Sequence, residues 1–166
     1  MSDTIKQYAV GEKVVYPSQG VGIIQGIVER DFKGDKVLYY TIYLEVTDMT
    51  VMVPVVKADE LGIRSIVSPE EAQEALDLMG EAGDPNPSDW KMRYQMNLDL
   101  LRKGSVRDIA LIVRSLYNRS KVKELPIMER KLYDSALKLF QDELSCSLGI
   151  PKHEIETLIH QKLESN

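Results

Sequence analysis

Short runs of Val, Ile and Tyr, broken by Gly, Pro and Asp, fill residues 11–64, and this texture reads as β-strands. The runs predict strands over 13–16, 20–30, 36–46 and 50–55, with turns at Pro17-Ser18-Gln19, Lys33-Gly34-Asp35 and Thr47-Asp48-Met49. Four or five strands in so short a stretch imply a small closed barrel, in which one face of each strand fills the interior. Two interleaved sets compete for that interior: Val37, Tyr39, Thr41, Tyr43 against Leu38, Tyr40, Ile42, Leu44. The pattern leaves the register open.

Beyond Ser68 the punctuation changes to helix caps. Ser68-Pro69-Glu70-Glu71 places proline at the first helical position, and Ala72, Ala75, Leu76 and Met79 follow at helical spacing. Residues 80–88, with Gly83, Pro85 and Pro87, form a break. Ser88 is then expected to cap a helix carrying Trp90, Tyr94, Leu98 and Leu101, which Gly104 stops. Ser105-Val106-Arg107-Asp108 resembles a capping box opening a helix over 109–117. Pro126 opens a long helix to Leu148 and Pro151 a last one to about Leu163, so the back half reads as a compact helical group without internal repeats.

A length of 166 residues accommodates two small modules, and 43% apolar with 28% charged residues is an ordinary globular composition. No apolar run approaches the ~18 residues of a spanning helix, and Met1-Ser2-Asp3-Thr4-Ile5-Lys6 lacks the apolar stretch of a signal peptide. A cytoplasmic protein without a membrane partner is therefore expected. Cys146 is the single cysteine; it fits a reducing compartment and is expected to pack on its helix.

The net charge of -5 is unevenly spread. Residues 1–68 carry 7 basic against 9 acidic side chains, and residues 69–89 carry none against 7. Residues 90–135 reverse this with 11 against 5, before the last 31 return to 3 against 5. The basic residues are Lys91, Arg93, Arg102, Lys103, Arg107, Arg114, Arg119, Lys121, Lys123, Arg130 and Lys131. One basic segment isolated between acidic neighbours points to phosphate binding over a merely solvated helix surface. No recognition-helix pattern stands out, so backbone contacts without sequence preference are expected.

Catalytic patterns fail on spacing. The run Gly20-Val21-Gly22-Ile23-Ile24-Gln25-Gly26 continues into a β-branched strand, so its amides would not converge on a phosphate at a helix start, and barrel bends are its expected use. His153-Glu154 followed by His160 misses the four-residue step of a zinc protease, and both histidines read as surface residues. Glu70, Glu71 and Glu74 suit a helix N-terminus. No serine or cysteine has a base partner in view. The expectation is no enzyme, no metal, no cofactor and no small-molecule substrate.

Trp90 is open to two readings. It shares a stripe with Tyr94 and Leu98, which favours the helical core; in a first turn, its ring can also project outward and wedge against unstacked bases.

Three blocks, Gly11-Glu12-Lys13-Val14-Val15-Tyr16-Pro17-Ser18-Gln19-Gly20-Val21-Gly22, Thr50-Val51-Met52-Val53-Pro54 and Ser88-Asp89-Trp90-Lys91-Met92-Arg93-Tyr94, resemble in order the CarD/CdnL family of bacterial RNA polymerase-binding regulators. The resemblance spans nearly the whole chain. It implies an α+β protein with a small N-terminal Tudor/SH3-like β-barrel over 1–67, as in the transcription-repair coupling helicase, and a compact all-helical DNA-binding domain over 68–166. It further implies that the barrel binds the polymerase β subunit, in part by strand-edge pairing, around Arg30, Val51, Met52 and Val53. The helices would hold promoter DNA through Trp90, Lys91, Arg93, Arg114, Arg119, Arg130 and Lys131, with Trp90 in the minor groove at the upstream edge of the bubble. That moves Trp90 from core to contact. Met52 stands where a branch of the family has arginine, and Met92 and Gln95 replace basic residues beside the tryptophan.

The resulting expectation is a non-enzymatic regulator that stabilises the open complex and joins the nucleoid through polymerase. A polymerase-independent nucleoid-type DNA-binding protein and a protein-protein adaptor are its rivals.

Overall fold

The computed structural model describes residues 7–83 and 87–165, so the N-terminal hexapeptide and Pro85 of the sequence reading lie outside the described residues. The chain divides between Ile66 and Val67 into two compact units, an antiparallel sheet followed by helices, and the fold class is α+β.

The strands are β1 (Lys13–Tyr16), β2 (Gly20–Phe32), β3 (Asp35–Leu44), β4 (Met49–Pro54) and β5 (Arg64–Ser65), in the spatial order β4-β3-β2-β1-β5. β2 and β3 run further toward each other than the turn residues suggest. Lys33 and Gly34, with φ of 51° and 86°, close them as a two-residue hairpin whose positive φ values match the strand twist. Asp48 sits at φ 54° in the next turn, where its carboxylate accepts from the Tyr43 hydroxyl at 2.7 Å. That bond raises the Tyr43 phenol above its ordinary pKa.

The register left open by the pattern is decided by burial. Tyr40, Ile42 and Leu44 face the core with Val14, Ile24 and Val53, while Tyr39, Thr41 and Tyr43 form the outer face. Gly22 lies opposite Leu44, and a Cβ there would stand 2.7 Å from Ile42 Cγ2. A glycine is thus required by close approach within a strand, as expected for a bend instead of a phosphate loop. A bulge between Ile24 and Gly26 shifts the pairing by one residue. Tyr8 completes this core: its N–H donates to the Tyr40 hydroxyl at 2.9 Å and its own hydroxyl to Ile63 O at 3.1 Å.

The helices are α1 (Pro69–Leu78), α2 (Trp90–Lys103), α3 (Val106–Val122), α4 (Ile127–Leu148) and α5 (Lys152–Glu164). α1 opens on a full capping box between Ser68 and Glu71. α2 corrects the expectation for Ser88. Asp89 is the N-cap, its carboxylate accepting from Lys91 N at 3.1 Å, because the helix begins at Trp90 and the cap must precede it directly. Gly104 ends α2 at φ 76°, and Ser105 caps α3 by accepting from Asp108 N. Ile112, Leu116, Phe140, Leu144, Ile155 and Ile159 are wholly buried at the centre of the unit. Val67 is held on α4 from both sides, its N–H by the buried Glu143 at 3.1 Å and its carbonyl by the Ser147 hydroxyl at 2.7 Å.

None of the described helices is long and apolar enough to cross a membrane. Cys146 is half-buried on α4.

Candidate nucleic-acid interface

In the sheet unit, residues directly opposite each other share a face. Arg30 is opposite Val37, and Met52 opposite Thr41; Val37, Tyr39 and Thr41 alternate along the same side of β3. Arg30 and Met52 therefore lie on one outer face, both exposed, with Val28, Tyr39 and Pro54 between them. Val51 and Val53 differ. Val53 is 3% exposed inside the core and Val51 is packed against it, so their side chains hold the sheet together. β4 stands at one end of the strand order, where its main chain and the exposed Met49, Thr50 and Met52 are presented.

In the helical unit the seven expected DNA contacts separate. Arg93 is 2% exposed. Its Nε and Nη2 donate to the Glu129 carboxylate at 2.7 and 2.6 Å, and its Nη1 donates to the carbonyls of Pro87 and Ser88. Arg114 is 7% exposed and donates from Nη1 to Leu78 O at 3.1 Å. Both depart from the sequence expectation for the same physical reason: each guanidinium is buried against acceptors within the protein, so little of it is presented to a phosphate.

The remaining five stay near solvent. Lys91, Arg130 and Lys131 are exposed, while Trp90 and Arg119 are half-buried. Trp90 is the first residue of α2 and is not one of the residues of the helical core, whereas Tyr94 and Leu98 of the same stripe pack against that core. Arg93 follows Trp90 by three residues, one helical turn, and its partner Glu129 directly precedes Arg130 and Lys131 on the first turns of α4. The ion pair consequently gathers Trp90, Lys91, Arg130 and Lys131 at one end of the helical unit. Lys121 stands apart, beside Tyr117, Asn118, Leu163 and Glu164, while Lys123 lies in the connection from α3 to α4 formed by residues 123–126. An open hollow of about 540 Å³ lies there, lined by Glu124, Leu125, Ile127, Arg130 and Lys131.

Aromatic rings support these cations. Lys121 Nζ lies 4.9 Å from the Tyr117 ring centre and the Arg130 guanidinium 5.9 Å from that of Tyr133. The hydrogen bond with Tyr117 raises the Lys121 pKa, and burial raises that of the Tyr133 phenol. Ile127, Met128, Val122, Met92 and Met96 add exposed apolar surface to the same helices. The starts of α2 and α4 thus offer exposed cations, apolar side chains and one large aromatic ring.

Glu129 was absent from the sequence reading although a signal existed. It falls on the stripe of Leu132, Tyr133, Ala136 and Phe140, and an acid on an apolar stripe needs a buried cation. Lys103 ends α2 away from Trp90 and Arg107 lies on the first turn of α3, both exposed, so they do not form one face with Lys91, Arg130 and Lys131. Among the described residues no three His, Cys, Asp or Glu side chains gather as metal ligands; His153 is exposed on α5, and His160 Nδ1 is 2.9 Å from Glu156 O.

Residues 8–67 match the CarD-like/TRCF RID domain, and residues 74–160 match the CarD C-terminal domain. The chain belongs to the CarD family. A CarD-like chain of this composition is a transcription regulator in class, with a Tudor-like front unit and the helical unit of the family behind it. It is similar throughout to the candidate transcription factor YdeB of Bacillus subtilis (strain 168), with 31% identity over 150 residues that cover 90% of this chain and 98% of that protein.

Proposed function

We propose that this CarD-family chain is a non-enzymatic regulator that binds the RNA polymerase β subunit with its sheet unit and promoter DNA with its helical unit. The sheet unit engages polymerase through the outer face bearing Arg30 and Met52 and through the main chain of β4 at Val51 and Val53. The helical unit places Trp90 at the upstream edge of the bubble, with Lys91, Arg119, Arg130 and Lys131 on neighbouring phosphates. Arg93 and Arg114 have no part in that contact.

One observation carries this reading: the only tryptophan of the chain stands half-exposed, outside the helical core, at the start of α2, which Arg93 ties through Glu129 to the start of α4 with its exposed Arg130 and Lys131. An aromatic ring in that place suits a wedge against unstacked bases, and the cations suit phosphates on either side. A ligand that binds the melted promoter better than the closed one raises the melted population by that difference in affinity. No chemical step is needed. Polymerase anchoring supplies the high local concentration that a small basic corner on an acidic protein does not reach alone.

The test is the lifetime of the open promoter complex with Trp90→Ala. The expected result is a shorter lifetime with polymerase binding retained, while Arg30→Glu weakens polymerase binding first. An unchanged lifetime removes the wedge, and tight salt-sensitive binding to bare duplex without polymerase supports a nucleoid-type protein instead.

A further inference from the structure

We infer that Arg93 is the positioning residue of Trp90, and that its buried pair with Glu129 exists to hold the tryptophan in one place. The inference rests on the reading of Trp90 as the DNA contact. Three donors of one guanidinium act together: Nε and Nη2 grip Glu129 on the first turn of α4, and Nη1 holds the Pro87 carbonyl at 2.9 Å and reaches Ser88 O at 3.4 Å. Pro87 and Ser88 are the chain that enters α2, immediately before Asp89 and Trp90. The backbone on both sides of the tryptophan is therefore tied to α4, beside Arg130 and Lys131.

Stability alone does not account for this arrangement. The two side chains are 3% and 0% exposed, and a buried ion pair is on average no more stabilising than apolar side chains of similar volume. What the planar fork adds is direction. It fixes two carboxylate oxygens and a main-chain carbonyl at set angles, which neither an apolar pair nor a lysine reproduces. An aromatic wedge that is already oriented loses less conformational freedom when it meets DNA.

The experiment compares wild type with Arg93→Met/Glu129→Leu, and reads two quantities. The single tryptophan makes fluorescence anisotropy of the free protein a direct report on Trp90 mobility. The second readout is open-complex lifetime with polymerase. The double variant is expected to melt at or above the wild-type temperature, to show lower Trp90 anisotropy, and to lose at least half of the fold-effect on lifetime that Trp90→Ala loses, with polymerase affinity unchanged. Wild-type anisotropy and lifetime in a folded double variant would overturn the inference. Should the double variant unfold, Arg93→Lys decides: it keeps the charge facing Glu129 and loses the reach to the entering chain, so the same two losses are expected at smaller size. Unfolding of both variants makes the pair a determinant of the fold and equally overturns the inference. If Trp90→Ala leaves the lifetime unchanged, the wedge reading fails, and the anisotropy arm still decides whether Arg93 holds the ring.

Discussion

Arg114 donates from its guanidinium to the carbonyl of Leu78 at 3.1 Å, so an arginine from the most basic stretch of the chain serves to close the end of α1. Arg130, in the same stretch, is 62% exposed at its side chain and among the described residues meets Asp134 at 3.8 Å and the Tyr133 ring. The two residues are alike in sequence and opposite in consequence. Arg114→Ala is expected to destabilise the helical unit by roughly 1.5–3 kcal/mol, the range for a buried hydrogen bond to a charged group. Arg130→Ala should stay within about 0.5 kcal/mol of wild type. Urea unfolding followed by Trp90 fluorescence reads the helical unit specifically, and equal losses in the two variants would refute the distinction.

DNA contact should show the reverse order. Removing one phosphate-bound cation lowers the slope of log affinity against log salt by about 1 for all sequences alike. Arg130→Gln and Lys131→Gln are expected to do so in a polymerase-promoter complex. Arg102→Gln, at the far end of α2, is expected to leave the slope unchanged.

Gly22 is required by space where Gly26 is not. A Cβ on Gly22 would meet Ile42 Cγ2 at 2.7 Å and Leu44 Cδ2 at 3.2 Å, both on fully buried side chains, whereas one on Gly26 meets only Thr41 Oγ1 at 3.3 Å. Gly22→Ala is expected to cost roughly 1–3 kcal/mol through overpacking, and Gly26→Ala less. Circular-dichroism melts of the two variants check the order.

Asp77 of α1 accepts from Lys162 of α5 at 3.0 Å and from Gln73, and these bonds hold its carboxyl below the ordinary value of 3.8. Because the folded pKa is the lower one, the contribution is complete above the unfolded pKa and disappears as pH falls through the folded one. Both side chains are about half exposed, at 50% and 40%, so solvent screens the pair and Asp77→Asn is expected to cost less than about 1 kcal/mol at neutral pH. The difference from wild type should vanish in strong acid. A difference that persists there would assign the loss to something other than the charge.

The short-range features of this chain were legible because their causes are local. Alternation, turn residues and caps depend on neighbours within about four positions, and they mark the strands, the cap at Ser68, the stop at Gly104 and the last two helices. The cap before α2 is the limit of that method: Ser88 and Asp89 are both good caps, and only the actual start of the helix selects Asp89. The isolated basic segment was equally readable, since charge along a chain needs no fold to be counted.

By itself, then, the sequence determined two units, their classes, the family resemblance and the segment that carries the positive charge. The tertiary structure alone decided which side of β3 faces inward and which arginines are available to a partner. Register depends on the core and on the bulge after Ile24, which lie across strands. The fate of Arg93 depends on Glu129, 36 residues away, and that of Arg114 on Leu78, also 36 away. No local pattern encodes such pairings, because a guanidinium is drawn inward only where folding brings it a carboxylate or a carbonyl that has left water with it.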